Sequence, residues 1–293
     1  IRRPPRSTHC ISSAASDVYK RQFQILGHAP PPCSATMGGI STLQRYKSIR
    51  IERQGANLWT MATVVVALGG SLLRPEVEER HKWLEDMVGV VKNSVSSGVK
   101  LALVVGGGAP AREGIDLARP VIHDLSHLDR IGIAATRLNA TIVREAISEG
   151  GVEVSENIPK SIDEAVDELS DFPVVVMGGT VPGHTTDAVA IRLAIEIQAD
   201  KCIIATNVAK VHSQDPRENP DAESFDKLTL DQLQEIVGPP DHADAGSSKV
   251  VDPVGVGEAR ENGLPLDVLD GRQPRRISSS NNGREFEGTM VTP

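Results

Sequence analysis

The stretch Val174–Ala190 reads V-V-V-M-G-G-T-V-P-G-H-T-T-D-A-V-A and decides the fold. A β-branched run ends at a glycine pair, a loop rich in Thr and Gly follows, and Asp187 stands where a helix opens. In an α/β sheet this is how the carboxyl end of a strand presents backbone N–H groups and a helix N-terminus to an anion. Two junctions of the same kind lie upstream: Val64–Ser71, V-V-V-A-L-G-G-S, and Leu101–Arg112, L-A-L-V-V-G-G-G-A-P-A-R. None carries a Walker lysine motif. The three turns therefore point to a phosphate-handling enzyme outside the P-loop class.

Around these turns, strands and helices alternate from Met61 onward. Ala62–Leu68 and Leu101–Val105 are short apolar runs suited to buried parallel strands. Between them Leu84, Met87, Val88, Val91 and Val95 fall at helical spacing, closed by Gly98. Leu125–Ser148 predicts a long helix with an apolar face of Leu128, Ile131, Ala135, Leu138 and Ile142. Ile162–Leu169 is a short amphipathic helix, followed by a strand at Pro173–Met177, a helix at Asp187–Gln198 and a strand at Lys201–Ala205. Thr229 with Gln232 makes a capping box for a helix ending at Gly238. Leu264–Leu269 and Thr289–Val291 read as late strands, and Gly238–Ser248 and Ser278–Gly283 as loops. The alternation specifies an α/β fold, a three-layer α/β/α sandwich with a mainly parallel sheet.

Composition narrows the partners. The net charge of −8 hides an asymmetry: residues 1–60 carry nine basic and two acidic residues, +7, which leaves −15 for the rest. An acidic body argues against nucleic acid as a partner. Bound polyphosphate must then rely on local donors, a few arginines and a divalent cation. No apolar run approaches the roughly 20 residues needed to span a bilayer, so no membrane partner is expected. The three cysteines, Cys10, Cys33 and Cys202, offer neither a disulfide framework nor a metal-ligand spacing, and Cys202 reads as a small core hydrophobe. The expected location is the cytoplasm.

Residues 1–60 lack apolar periodicity and mix Pro, Ser and Arg. They read as a leader outside the fold, either a transit peptide or in-frame upstream sequence, with Met61 a natural start. The expected domain is 61–293.

Taken in order, the body's motifs resemble the amino acid kinase superfamily, and within it the archaeal-type uridylate kinases. The resemblance rests on G-G-S at Gly69–Ser71, G-G-G-x-x-A-R at Gly106–Arg112 and D-x-I-G-I-x-x-T-R-x-N-A at Asp129–Ala140. It continues through Met177–Ala190, T-N-V at Thr206–Val208, D-P at Asp215–Pro216, A-G-S-S at Ala245–Ser248 and V-D-P at Val251–Pro253. The implied activity is ATP-dependent phosphorylation of UMP by in-line transfer, with Mg²⁺ accompanying ATP, in a homo-oligomer, commonly a hexamer. The resemblance places Gly70, Ser71, Gly108 and Arg112 against ATP phosphates, and Thr206, His212 and Asp215 around its adenine and ribose. Gly107 and Asp129 would contact UMP, Asp129 at the ribose. Thr180, Val181, Pro182, Gly183, His184, Thr185 and Thr186 would wrap its uracil and phosphate.

Residue chemistry agrees with these roles. Glycines let the backbone approach phosphate oxygens, and consecutive N–H groups form an anion nest. Arg112, on the first turn of the helix after the glycine triplet, can grip phosphate with a bidentate fork. Arg112 and Asp187 are the candidate catalytic residues, Asp187 both capping its helix and orienting site groups. Arg137 is a lesser candidate. The acceptor is already an ionised phosphate monoester, so no general base is needed.

The chain departs from the family pattern at Ala67, where most of the superfamily has lysine, and at Ala209, Lys210 and His212, where D-G-V-Y is usual. Gly257 stands where a lysine usually follows the D-P turn. Two other functions remain open from sequence. One keeps the fold and changes the acceptor to isopentenyl phosphate or a carboxylate, although Val105 and Ala67 lack those kinases' usual His and Lys. The other is a non-catalytic uridine-nucleotide-binding or storage protein.

Overall fold

The computed structural model describes residues 61–73, 80–216, 218–240 and 250–293. The leader 1–60 and the A-G-S-S segment at 245–248 lie outside the described residues. Among those described, seven strands form one sheet in the order β3-β2-β1-β4-β8-β9-β7. These are β1 (Thr63–Leu68), β2 (Lys100–Val105), β3 (Val174–Met177), β4 (Lys201–Thr206), β7 (Lys227–Thr229), β8 (Leu266–Asp270) and β9 (Gly288–Thr292). β5 (Val211–His212) and β6 (Ser224–Phe225) make a separate antiparallel ribbon. The five strands from β3 to β8 pair in parallel, β9 is antiparallel to β8, and β7 pairs parallel to β9.

Strand alternation divides the core in two. Val64, Val66 and Leu68 join Leu101, Leu103 and Val105 beneath α1 (Arg80–Ser96), α3 (Leu125–Glu149) and α8 (Pro274–Asn281). Val65, Ala67, Ala102 and Val104 face the other way, beneath α4 (Ile162–Asp171), α5 (Thr186–Glu196), α6 (Leu230–Val237) and α7 (Pro253–Asn262). Both faces are apolar because both are covered. The sandwich expected from sequence is present. Cys202 is a free thiol buried in β4, as a small core hydrophobe should be. No helix among the described residues is long and apolar enough to cross a membrane.

Three local expectations fail. On α3 the buried face is Leu128, Asp129, Gly132, Ile133, Thr136, Asn139, Ala140, Val143 and Ile147. Leu138 and Ile142, expected inside, are 51% and 37% exposed. The helix is apolar on its back and partly polar on its front, so counting hydrophobes selects the wrong side. Ser278–Gly283 is not a loop throughout, since α8 runs to Asn281. Pro274 starts that helix at its first turn, Ile277 buries, and the Ser280 hydroxyl donates to Asp267 at 2.6 Å. Finally, α2 (Gly108–Ala118) begins within the glycine triplet, which places Arg112 at the start of its second turn rather than on its first.

Candidate active site

The parallel strands deliver their glycine turns to one edge. The turn after β1 and the triplet after β2 are stacked backbone on backbone: a Cβ on Gly70 would lie 2.2 Å from the Gly108 nitrogen and 2.6 Å from the Gly106 carbonyl. Gly108 itself has φ +57°, a conformation that favours glycine. Thr186 lies against the triplet too, its Oγ1 3.3 Å from where a Gly106 Cβ would stand. Thr206 ends β4 beside the β1 turn, with Gly69 N–H donating to the Ala205 carbonyl at 2.9 Å.

The polar front of α3 holds these turns in place. Asn139, fully buried, donates through Nδ2 to the carbonyls of Gly106 (2.8 Å) and Gly107 (3.0 Å). Tying those carbonyls back constrains the peptides whose N–H groups would meet an anion. Thr136 Oγ1 accepts from Gly179 N–H at 2.7 Å, and a side chain on Gly178 would collide with the same hydroxyl. Asp129 Oδ2 accepts from Gly183 N–H at 2.8 Å, and Arg137 Nη2 donates to the Thr180 carbonyl at 3.4 Å. One helix therefore clamps both the triplet and the 180–186 loop. Thr136 and Asn139 carry no role in the sequence reading. Their signal was available: with Asp129 they stand at helical spacing on one face, the only polar residues there.

Asp129 is 1% exposed, and its Oδ1 has no hydrogen-bond partner among the described residues. Burial pushes its carboxyl up to about 6 against the opposing pull of the Gly183 N–H. A buried acceptor left open is costly unless a donor arrives. Asp187, expected to cap α5, does not: Thr185 is the cap, its hydroxyl accepting from Ala188 N–H at 3.1 Å. Asp187 sits two residues later. Desolvation raises its carboxyl to about 7, helped by the negative charge of Asp252 and offset in part by an Asp252 backbone hydrogen bond.

A stability test follows from these two acids. Their folded values exceed the ordinary unfolded value, so between about pH 4 and 7 the folded state holds more protons than the unfolded state. Stability of the ligand-free protein should therefore fall as pH rises through that window. Asp187→Asn should flatten part of the fall in thermal midpoint between pH 5 and 8. An unchanged slope would show that Asp187 does not contribute.

The remaining expected residues lie around this centre. Val181 is 49% exposed at the loop tip, and Pro182, Gly183 and His184 are half-buried. His212 lies further out, on the ribbon beyond β4, with its Nδ1 3.0 Å from the Lys210 carbonyl, and Asp215 follows in the connection between β5 and β6. Lys210 itself is paired with Asp226. Gly257 packs on α6, a Cβ there falling 2.8 Å from Pro240. Position 257 has no room for a side chain in this arrangement.

The amino acid kinase family matches residues 62–270. The chain belongs to that family. Among its relatives, the uridylate kinase of Natronomonas pharaonis is 39% identical over 230 residues, 78% of this chain and 98% of that protein. The uridylate kinase of Methanococcus maripaludis is likewise 39% identical, over 78% of this chain and 99% of its own length. The crystal structure of uridylate kinase from Archaeoglobus fulgidus superposes with a TM-score of 0.68 at 36% identity, covering 78% of this chain and 99% of that one. A UMP kinase structure from Bacillus anthracis, at 24% identity and a TM-score of 0.64, shares the fold. The stacked glycine turns thus belong to an amino acid kinase with uridylate kinases among its relatives.

Proposed function

We propose that this amino acid kinase transfers the terminal phosphoryl group of ATP to UMP. The observation that carries the reading is Asp129, a buried carboxylate that braces the 180–186 loop and keeps one oxygen open for a donor. A ribose hydroxyl is such a donor. Gly107 and residues Thr180–Thr186 surround the acceptor in this reading. Gly70, Ser71, Gly108, Arg112, Thr206, His212 and Asp215 take ATP.

The acceptor phosphate, with a second pKa of about 6, is its own nucleophile near neutral pH. The protein has only to position it and neutralise charge. Backbone N–H groups of the stacked turns serve the donor phosphates, and Arg112 adds a cation. Arg112 is half-buried and no carboxylate pairs with it among the described residues. Mg²⁺ fits as an ion that arrives on ATP. No group of three or more His, Cys, Asp or Glu gathers into a metal site among the described residues; Asp187 and the neighbouring Asp252 would offer the one or two carboxylates that Mg²⁺ commonly takes alongside phosphates and water. When bound, the ion neutralises charge on the donor phosphates.

Residues 61–293 are proposed to form the whole kinase unit, because 230 residues of this chain span 98% of a relative's length. A homo-oligomer, hexameric as the resemblance implies, is also proposed. The exposed apolar residues Leu138 and Ile142 on α3, with Leu117 on α2, support an association surface.

The decisive test is ADP release with Mg-ATP against UMP, CMP, dTMP, isopentenyl phosphate and acetylglutamate. UMP should turn over fastest. dUMP should be poorer, and Asp129→Ala should erase most of that gap. Equal rates for UMP and dUMP in the wild type would remove the ribose role from Asp129. Turnover of isopentenyl phosphate alone would replace UMP as the acceptor, and uridine-nucleotide binding without turnover would favour a storage protein.

A further inference from the structure

Arginines that are half-buried in this protein are normally paired. Arg192 grips Glu258 through Nε and Nη2 at 2.7–3.0 Å, Arg144 lies 2.5 Å from Glu145, and Arg276 lies 3.2 Å from Asp270. Arg137 and Arg112 are the exceptions among the described residues, and both stand beside the glycine turns. Arg137 is the more confined. Among the described residues its buried Nε has no partner, and its only hydrogen bond is the long one from Nη2 to the Thr180 carbonyl. A guanidinium stays charged at any physiological pH, and a sequestered charge without a counter-ion is unfavourable. Nε and Nη2 form the fork edge with which Arg192 holds a carboxylate, and the same edge matches two phosphate oxygens.

We infer that Arg137 binds the phosphate of the acceptor nucleotide directly, through Nε and Nη2. The inference rests on the reading that the 180–186 loop takes UMP, and it names the group that holds the acceptor's charge. The two unpaired arginines then divide the anions, Arg112 serving the donor and Arg137 the acceptor. The arrangement also explains why Nε is left open: its counter-ion comes with the substrate. Arg137 thereby selects for a phosphorylated acceptor over the bare nucleoside.

Calorimetric affinities for UMP and for uridine, in the wild type, Arg137→Met and Arg137→Lys, test this. Hydrogen bonds to a charged group predict that Arg137→Met weakens UMP about 10–100-fold while uridine changes by no more than about twofold. Arg137→Lys should lie between, because a point charge replaces a fork. Thermal midpoints without ligand should stay near wild type, since an unpaired charge has been removed. Equal losses for UMP and uridine would overturn the inference, showing that Arg137 only shapes the loop through Thr180. Unchanged UMP affinity in Arg137→Met would also overturn it. Should Arg137→Met fail to fold, the UMP-to-uridine ratio in Arg137→Lys decides: a ratio equal to wild type overturns the phosphate contact. A wild-type protein that binds no UMP removes the functional reading itself, a result visible before any variant is made.

Discussion

Arg112→Ala lowers the turnover number about 10²–10³-fold, with the Michaelis constant for UMP little changed, when ADP release is followed at saturating ATP. The expectation comes from what surrounds the transferring group. Ala67 is buried in β1 and Gly257 is packed against Pro240, so neither position can supply the lysine common in the superfamily. Arg112 stands at the start of the second turn of α2, whose first residue belongs to the stacked glycine turns. No carboxylate pairs with it among the described residues. A cation acting on charge that develops during transfer should show its loss in turnover, and Arg112→Lys should recover only part of it. A raised Michaelis constant for ATP with unchanged turnover would instead make Arg112 a residue of ground-state binding.

Gly70→Ala is the second large effect. The added Cβ would come within 2.2 Å of the Gly108 nitrogen and 2.6 Å of the Gly106 carbonyl, and both are backbone. No flexible side chain can give way, so the two turns must separate. Overpacking of this kind costs about 1–3 kcal/mol. The functional loss should be larger, because N–H groups of both turns move at once and each misplaced donor is worth about 10²–10³ in rate. Turnover should fall at least about 10²-fold, with a lower thermal midpoint. Gly89→Ala, on the open side of α1 with nothing within 4 Å of the new methyl, provides the matched control. Comparable activity in the two variants would mean that the stacking does not matter.

Much of this architecture was readable in the chain because β-branched runs ending in glycine carry their own instructions. β1, β2, β3 and β4 begin and end within a residue or so of the expected positions, and the ligand edge follows from where their glycines fall. What apolar periodicity alone did not mark was the front of α3, where the signal is a polar stripe at helical spacing. Periodicity weighs apolar residues, and Ile131, Ala135, Leu138 and Ile142 outweigh a face that includes Asp129, Gly132, Thr136 and Asn139. That face is buried because loop amides and carbonyls satisfy its polar groups, and a hydrophobicity count cannot register such partners. Asp129 entered the reading through resemblance alone. Thr136 and Asn139 were missed because each partners a backbone from a distant turn, 43 and 32 to 33 residues away. Ser278–Asn281 was misread for the same reason in miniature: a run of serines looks like solvent-facing chain until Asp267 is placed beneath Ser280.

The clamp on α3 has a mechanical consequence. Four contacts, from Asp129, Thr136, Arg137 and Asn139, run from one rigid rod to segments that follow two different strands. The opposite side of that rod is apolar and open at Leu138 and Ile142. A helix with its side chains is about 10–12 Å across. Whatever rests on the back is therefore one helix width from the 180–186 loop, and a small roll of the rod would move that loop and the glycine triplet together. A load applied to one side would then be felt as a change of alignment on the other.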